Sequence, residues 1–433
     1  MRSDSRSASL AVALALLCLG PLGPSVGAQE ADSFNADAFF GSASGSESSS
    51  GAAAEAGATG EAGATGEAGG AGAYAAAPRP SGLSFSGEAS ADFLCAMSDP
   101  FDSELRTGSY MGLSSLRLDA RGGDRESSKL EASLAVKLAY GAAADAARTA
   151  ASAVLAGVPG LAAYLFGNEG PVMSLELKKL YFSVYTPFAD ISAGRMILNY
   201  GRGTAYSPVD LFSTVDSSGL QLGRSGSDAV RVLVPFSNFS GLDMAATVAG
   251  APEDGVAGFR QYGDAFGVDY GVSAFRDGGD KGAGEGGTLA LGLDLKADLV
   301  VGISAEAVAR LPLDAEWVPD AGRAVYSLML GLDYSIGGRL FLDAEALWNI
   351  EAGDAAATGQ FPEAFNAFAS ISWKPDELGA FDLRGFYHSD GDAEAVLSAS
   401  RSVAAGATLA AYAIYGYAGA SSLSFGARLS VAY

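Results

Sequence analysis

The 433-residue chain carries 27 basic and 50 acidic side chains, a formal charge of −23, and a mean hydropathy of +0.20. Acidity on this scale excludes nucleic-acid binding, which needs a basic footprint, and suits a surface whose loops stay soluble by repulsion. The hydropathy is that of a membrane protein, yet past the first residues no stretch of about 20 strongly apolar residues occurs: Ala150 to Phe166 comes nearest, but it is Ala-rich, carries Ser152 and is broken by Pro159 and Gly160.

In chain order, Arg2 and Arg6 precede an apolar run from Leu10 to Leu17, and the small residues Val26, Gly27 and Ala28 follow. This is the layout of a secretory signal, too short to anchor in a bilayer, and cleavage is expected after Ala28. Cys18 follows the apolar run as a lipidated cysteine would, but Leu16 and Leu17 stand where such sites carry small residues. Removing the leader takes away Arg2, Arg6 and Asp4 and leaves Cys95 as the lone thiol, so no internal disulfide can form. Residues 29–80 are built from Gly, Ala, Ser and Glu, with Gly-Ala-Thr-Gly-Glu-Ala repeated at Gly57–Ala62 and Gly63–Ala68. With almost no large apolar side chains to bury, this segment is predicted to be a disordered tail.

At Leu83 the texture changes, and residues 81–433 form the folded region. Leu83, Phe85, Ala89, Ala91 and Phe93 alternate with Ser84, Ser86, Glu88, Ser90 and Asp92, which gives a strand one apolar and one polar face. The pattern recurs at Leu130 to Tyr140, Phe266 to Ala274, Leu289 to Ala297, Tyr326 to Tyr334 and Leu340 to Trp348, near the roughly 9–11 residues a tilted strand needs to cross a bilayer. Turn clusters separate these runs, among them Gly122-Gly123-Asp124, Ser335-Ile336-Gly337-Gly338 and Lys374-Pro375-Asp376. Connections alternate in length: brief after Tyr185, Phe236, Ala297, Ser335 and Lys374, longer after Tyr140, Asn199, Phe275, Leu311 and Asn349. Membrane barrels have this rhythm of short turns and long external loops. Keeping it in phase needs a weak strand near Val256 to Tyr262 and gives about 18 strands, with 16 as the alternative. The prediction is an all-β fold: an antiparallel transmembrane β-barrel in the outer membrane, closed because an open sheet edge in lipid is costly. Tyr140, Tyr185, Trp348 and Trp373 suit the interfacial girdles.

Leu423, Phe425, Ala427, Leu429, Val431 and Tyr433 share one face of a last strand that ends with the chain. The terminal aromatic, with Phe425, Leu429 and Val431 before it, resembles the C-terminal signature of outer-membrane barrels, which implies recognition by the barrel-assembly machinery. Further upstream, Gly194-Arg195 is followed by Tyr200-Gly201-Arg202-Gly203 and by Ser207-Pro208-Val209-Asp210. Over about 40 residues the arrangement resembles porin-like outer-membrane proteins of Gram-negative and spirochaete type. That resemblance implies a passive channel for small hydrophilic solutes.

The same residues have a physical reading. Gly201 and Gly203 are expected to take backbone angles closed to other residues. A bulge at Gly194 would turn Arg195, which shares parity with Ile191 and Ala193, toward the lumen. Arg195 and Arg202 would then pair with Asp210 and fold the loop inward beyond Pro208, either as a pore constriction or as a clamp on loop geometry. Charged residues on the polar strand faces, Arg117, Asp119, Asp294, Lys296, Asp343, Glu345, Asp382 and Arg384, are expected to line the lumen, because Arg or Lys facing lipid at mid-depth costs roughly 2–4 kcal/mol. In a barrel this wide a water-filled channel is expected, although paired interior charges serve equally as cross-barrel salt bridges.

The Ala-rich segment Ala142 to Phe166 is expected to be helical, either as a partial plug or as a helix in the external loop. His388 is the only histidine and Ser389 points to the opposite face, so no nucleophile–base pair is visible and no enzyme is expected. No cofactor or metal motif stands out. Two other readings remain at this stage: a surface adhesin or structural barrel without transport, and a channel for hydrophobic compounds. Monomers and trimers fit the pattern equally.

Overall fold

The computed structural model describes residues 82–101, 107–124, 127–154, 167, 169–213, 215–216, 222–279, 286–351, 361 and 363–433. The expected leader and the tail of residues 29–80 lie outside the described residues. The first wall strands are β1 (Ser84–Ser98), β2 (Thr107–Gly123) and β3 (Ser128–Gly141), followed by helix α1 (Ala142–Val154), β4 (Val172–Tyr185) and β5 (Asp190–Met196). A small ribbon of β6 (Val215–Asp216) and β7 (Gly223–Arg224) comes next. The wall resumes with β8 (Ser227–Ser237), β9 (Ser240–Thr247), β10 (Val256–Ala265), β11 (Val268–Asp277), β12 (Gly287–Asp298) and β13 (Gly302–Leu313). It continues through β14 (Val325–Ile336), β15 (Leu340–Glu351), β16 (Phe365–Trp373), β17 (Gly379–His388), β18 (Ala393–Ala404), β19 (Ala407–Ala418) and β20 (Ala420–Ala432).

Apart from the ribbon, these strands form one 18-stranded antiparallel sheet in which each strand pairs with the next and β20 pairs with β1. The ring is closed, so no backbone edge faces lipid. At the seam Gly87 and Tyr433 exchange backbone hydrogen bonds of 3.0 and 3.1 Å, and Tyr433 Oη donates to the Arg117 carbonyl at 3.2 Å. Inside the seam Asp92 accepts from Tyr412 Oη at 3.2 Å and Arg428 Nε at 2.7 Å, joining β1 to β19 and β20.

Alternation sets the two faces of the wall. On β14 Tyr326, Leu328, Leu330 and Leu332 are exposed on the outside, while Ser327 and Met329 are buried inside. On β20 Phe425, Leu429, Val431 and Tyr433 face outward and are likewise exposed. Such an apolar outer face requires a lipid surround. Trp373 packs on Phe381 at the turn end of the barrel and Trp348 on Phe365 at the loop end, both at 5.4 Å, where girdle aromatics sit.

The weak strand expected near Val256 to Tyr262 is β10, and the count is eighteen rather than sixteen. One strand starts later than its alternation suggests. Phe266 has φ +60° and forms a two-residue turn with Gly267, so β11 begins at Val268. The long connections fall where the sequence places them, but those after β17 and β19 are tight, the latter a single residue, Gly419. Helix α1 folds inward. Its Ala143 and Ala144 are buried against Leu94, Met111, Leu113, Ala139 and Tyr412, all on the interior face of the wall. The rest of the expected helix, residues 155–166, lies outside the described residues.

Candidate functional site

Beyond Met196 the chain leaves the wall, crosses the barrel interior and returns at Ser227. The crossing segment runs along the inner wall to β16, which lies halfway round the ring from β5. Two wall carboxylates hold it. Glu306 on β13 accepts the backbone N–H of Arg202, that of Gly203 at 2.9 Å and that of Val209 at 3.2 Å, together with Ser207 Oγ at 3.2 Å. Glu345 on β15 accepts the N–H groups of Thr204, Ala205 at 3.0 Å and Tyr206 at 2.8 Å. A turn whose successive N–H groups converge is an anion cradle, and here the anions are side chains of the wall. These backbone donors have no ladder partner, and buried donors must find one.

Further contacts fix the segment along its length. Arg310 Nη2 donates to the Pro208 carbonyl at 3.0 Å, and Tyr206 Oη donates to the Ala367 carbonyl at 3.1 Å. Tyr200 packs on Phe212 and Phe275 at 5.2 and 5.1 Å, and Tyr206 meets Phe361 edge-on at 4.8 Å. Where the segment docks, the inner wall is apolar: Phe275, Ala290 and Val308 hold one half, Met329, Leu347, Phe368 and Phe386 the other. Burial raises the Tyr206 phenol above its ordinary range, and the nearby Glu345 and Glu363 add to the shift.

The expected partnership of Arg195 and Arg202 with Asp210 is not formed. Arg202 Nε donates to Asp294 at 2.9 Å, with Asp269 at 3.9 Å. Asp294 also binds Arg260 Nη2 at 2.6 Å. That pair passes over Gly271, where a Cβ would stand 2.1 Å from Asp294 Oδ2. Asp210 instead pairs with Arg224 at 2.9 Å and accepts from Phe212 N–H at 3.0 Å and Ser213 Oγ at 2.5 Å. Burial pushes its carboxyl above the usual range, opposed by Arg224 and these donors. Arg195 is not brought inward. Gly194 does adopt a left-handed φ of +125°, but the register keeps Arg195 opposite exposed Leu180 and opposite Asp228, which it binds at 3.0 Å. A glycine distortion that leaves the register unshifted does not exchange faces. Gly201 and Gly203 are not in the left-handed region either. They serve close approach, since a Cβ would lie 1.5 Å from Ser207 Oγ at Gly201 and 1.7 Å from the Tyr206 carbonyl at Gly203.

Of the remaining candidates, Arg117 pairs with Asp119 at 3.0 Å on β2, and Asp382 accepts from Ser372 Oγ at 2.5 Å. Asp343 stands directly opposite Asp333, Lys296 lies 3.7 Å from Asp298, and Arg384 is buried on the interior face of β17. All of them face the interior, and Asp343 also joins the crossing segment through a side-chain hydrogen bond with Thr204. Glu306, Arg224 and Arg310 had no place in the sequence reading. The signal that exposes them is a run of apolar residues at interior parity, Val308, Met329, Leu347, Phe368 and Phe386, which breaks the polar face just where the segment docks.

No family model matches the chain, and no curated protein matches it. Solved structures do. The chain is similar to OccAB4 of Acinetobacter baumannii, with a TM-score of 0.51 and 9% identity over 82% of this chain and 100% of that one. OccAB2 of the same organism has a TM-score of 0.47 and 9% identity over 81% and 98%. OccK11 (OpdR) of Pseudomonas aeruginosa has 0.47 and 8% over 80% and 95%. The fold is that of a porin-like outer-membrane barrel. At such identities the likeness concerns fold, and the chemistry of this barrel is read from its own interior.

Proposed function

We propose that the barrel is a passive channel for small hydrophilic solutes, narrowed by the segment from Tyr200 to Ser213. The observation that carries this reading is the pair of wall carboxylates, Glu306 and Glu345, anchoring six backbone N–H groups of a segment that reaches halfway round the ring. A loop tied this firmly to the inner wall narrows the passage without a covalent link, and α1 narrows it from the other half. Side chains of both signs, among them Arg117, Asp119, Lys296, Asp343, Asp382 and Arg384, keep the passage wet and sort ions by charge. Arg202, Asp210 and Asp294 act here as fixed parts of the constriction. Arg195 acts at the outer wall.

The test is single-channel conductance of the refolded chain in a planar bilayer, with Arg202→Ala beside the parent. Steps whose size and ion selectivity change in the variant are the expected result. A barrel that folds, shows heat-modifiable migration and never conducts would overturn the reading and leave a structural or adhesive barrel. The outward face of β20, ending in Tyr433, we assign to recognition by the barrel-assembly machinery.

A further inference from the structure

His388 is the only histidine in the chain, and thus the only side chain whose unperturbed titration falls between about pH 5 and 8. It ends β17 at the loop side of the barrel and faces inward. Its Nδ1 lies 2.6 Å from Asn366 Oδ1 on β16 and 3.8 Å from a Glu363 carboxylate oxygen. Glu363 belongs to the chain that returns into β16, and that chain is held through its carbonyls. Asn366 Nδ2 donates to the Glu363 carbonyl at 3.0 Å, and Asn349 Nδ2 donates to those of Glu363 and Phe361 at 2.8 and 2.6 Å. Phe361 in turn sits edge-on against Tyr206 of the crossing segment at 4.8 Å. A continuous set of contacts therefore runs from the imidazole to the constriction.

We propose that His388 and Glu363 form a pH-sensitive latch on the constriction, an inference that rests on the channel reading above. With His388 neutral, the hydrogen bonds that hold Glu363 among the described residues are those to its backbone carbonyl. Protonation adds a charge–charge attraction beside the interior wall, where screening by water is reduced, and draws Glu363 toward β17. That movement presses Phe361 onto Tyr206 and holds the constricted state. Other charged and titratable groups stand on the neighbouring elements, Tyr206 of the crossing segment beside Glu363 among them. Glu394 stands on β18 opposite Phe386, Asp390 and Asp392 lie in the adjoining connection, and Arg384 is the basic residue of β17 on the same face. A structural role for His388 through its Asn366 hydrogen bond alone predicts no dependence on pH, because neutral histidine makes that bond as well.

The experiment uses the refolded full mature chain without a histidine tag. Conductance is recorded between pH 5 and pH 8 for the parent, His388→Gln and Glu363→Gln, while the single imidazole is titrated by NMR. The expected parent behaviour is quiet, smaller steps in acid and several-fold more frequent excursions to a larger conductance as pH rises through the imidazole titration. Both variants should lose this dependence and stay in the mobile state. A parent that conducts with no pH dependence, or a His388→Gln variant that keeps it, would overturn the latch while leaving the channel standing. If the barrel does not conduct at all, the channel reading fails. The latch is then judged by the imidazole titration itself: a titration midpoint lower in Glu363→Gln than in the parent supports it, and an unchanged midpoint overturns it.

Discussion

Replacing Glu306 by Ala isolates the anchor from the rest of the barrel. The carboxylate accepts three backbone N–H groups and the Ser207 hydroxyl, and it is wholly buried beneath the segment it holds. Hydrogen bonds to a charged acceptor contribute about 1.5–3 kcal/mol each, so the gross loss over the four is about 6–12 kcal/mol. Water admitted by the detached segment recovers much of this, and Glu345, Arg310 and the Tyr206 ring still hold the far end. A net weakening of about 2 kcal/mol is therefore reasonable, roughly a thirtyfold rise in the detached population at 1.4 kcal/mol per tenfold. The wall should be unaffected, since its ladder does not involve the Glu306 side chain. In single-channel recordings Glu306→Ala should add brief, larger openings, Glu306→Gln should lie between it and the parent, and Glu306→Ala with Glu345→Ala should conduct at the larger level throughout. A double variant that folds, migrates heat-modifiably and conducts with the parent's step size would refute the claim that this segment limits the passage.

Three other outcomes test separate parts of the structure. Asp92→Ala removes the acceptor shared by Tyr412 and Arg428 at the seam and should lower the urea midpoint of unfolding by the equivalent of about 1–3 kcal/mol, read from heat-modifiable migration. Gly271→Val places a side chain where the Arg260–Asp294 pair crosses β11. It should displace Arg202 and change ion selectivity, whereas Gly385→Val on the outward face of β17 should not. Leu330→Arg puts a charge on the exposed outer face of β14 and should cost about 2–4 kcal/mol at mid-depth, while Ser398→Arg on the interior face of β18 should be nearly neutral. Equal effects from that last pair in a refolding titration would mean the two faces had been assigned the wrong way round.

Much of the wall is legible from the chain because a barrel in lipid allows few exceptions. A strand such as Tyr326 to Leu332 must place Leu328, Leu330 and Leu332 outward, and the terminal run to Tyr433 must find a partner, which is β1. Even the weak strand at β10 follows from keeping turns and loops in phase. The crossing segment was only partly legible. Its glycines, Arg202 and Asp210 stand out locally, but their partners lie some 15 to 100 residues away: Arg224 for Asp210, Asp294 for Arg202, and Glu306 for the backbone of Arg202 and Gly203. The expected partners of Asp210 were Arg195 and Arg202; Arg224, 14 residues on, is no farther along the chain than Arg195, and only the register shows that Arg195 is held on the outside.

The missing information was nonetheless present in the pattern, as a departure from alternation rather than as a motif. Interior positions facing water should be polar or small, and positions facing packed protein need not be. Met329, Leu347, Phe368 and Phe386 are apolar at interior parity on four consecutive strands, and each touches the cluster around Tyr206. Phe275 and Val308 do the same around Tyr200. Single carboxylates lie among them, Glu306 two residues before Val308 and Glu345 two residues before Leu347, on the same face and about 7 Å nearer the turn end of the barrel. An apolar floor with an isolated carboxylate beside it suits a segment of backbone whose N–H groups have nowhere else to go. In a barrel of unknown structure that combination, read strand by strand, locates the inner wall on which a loop docks and names the residues that hold it.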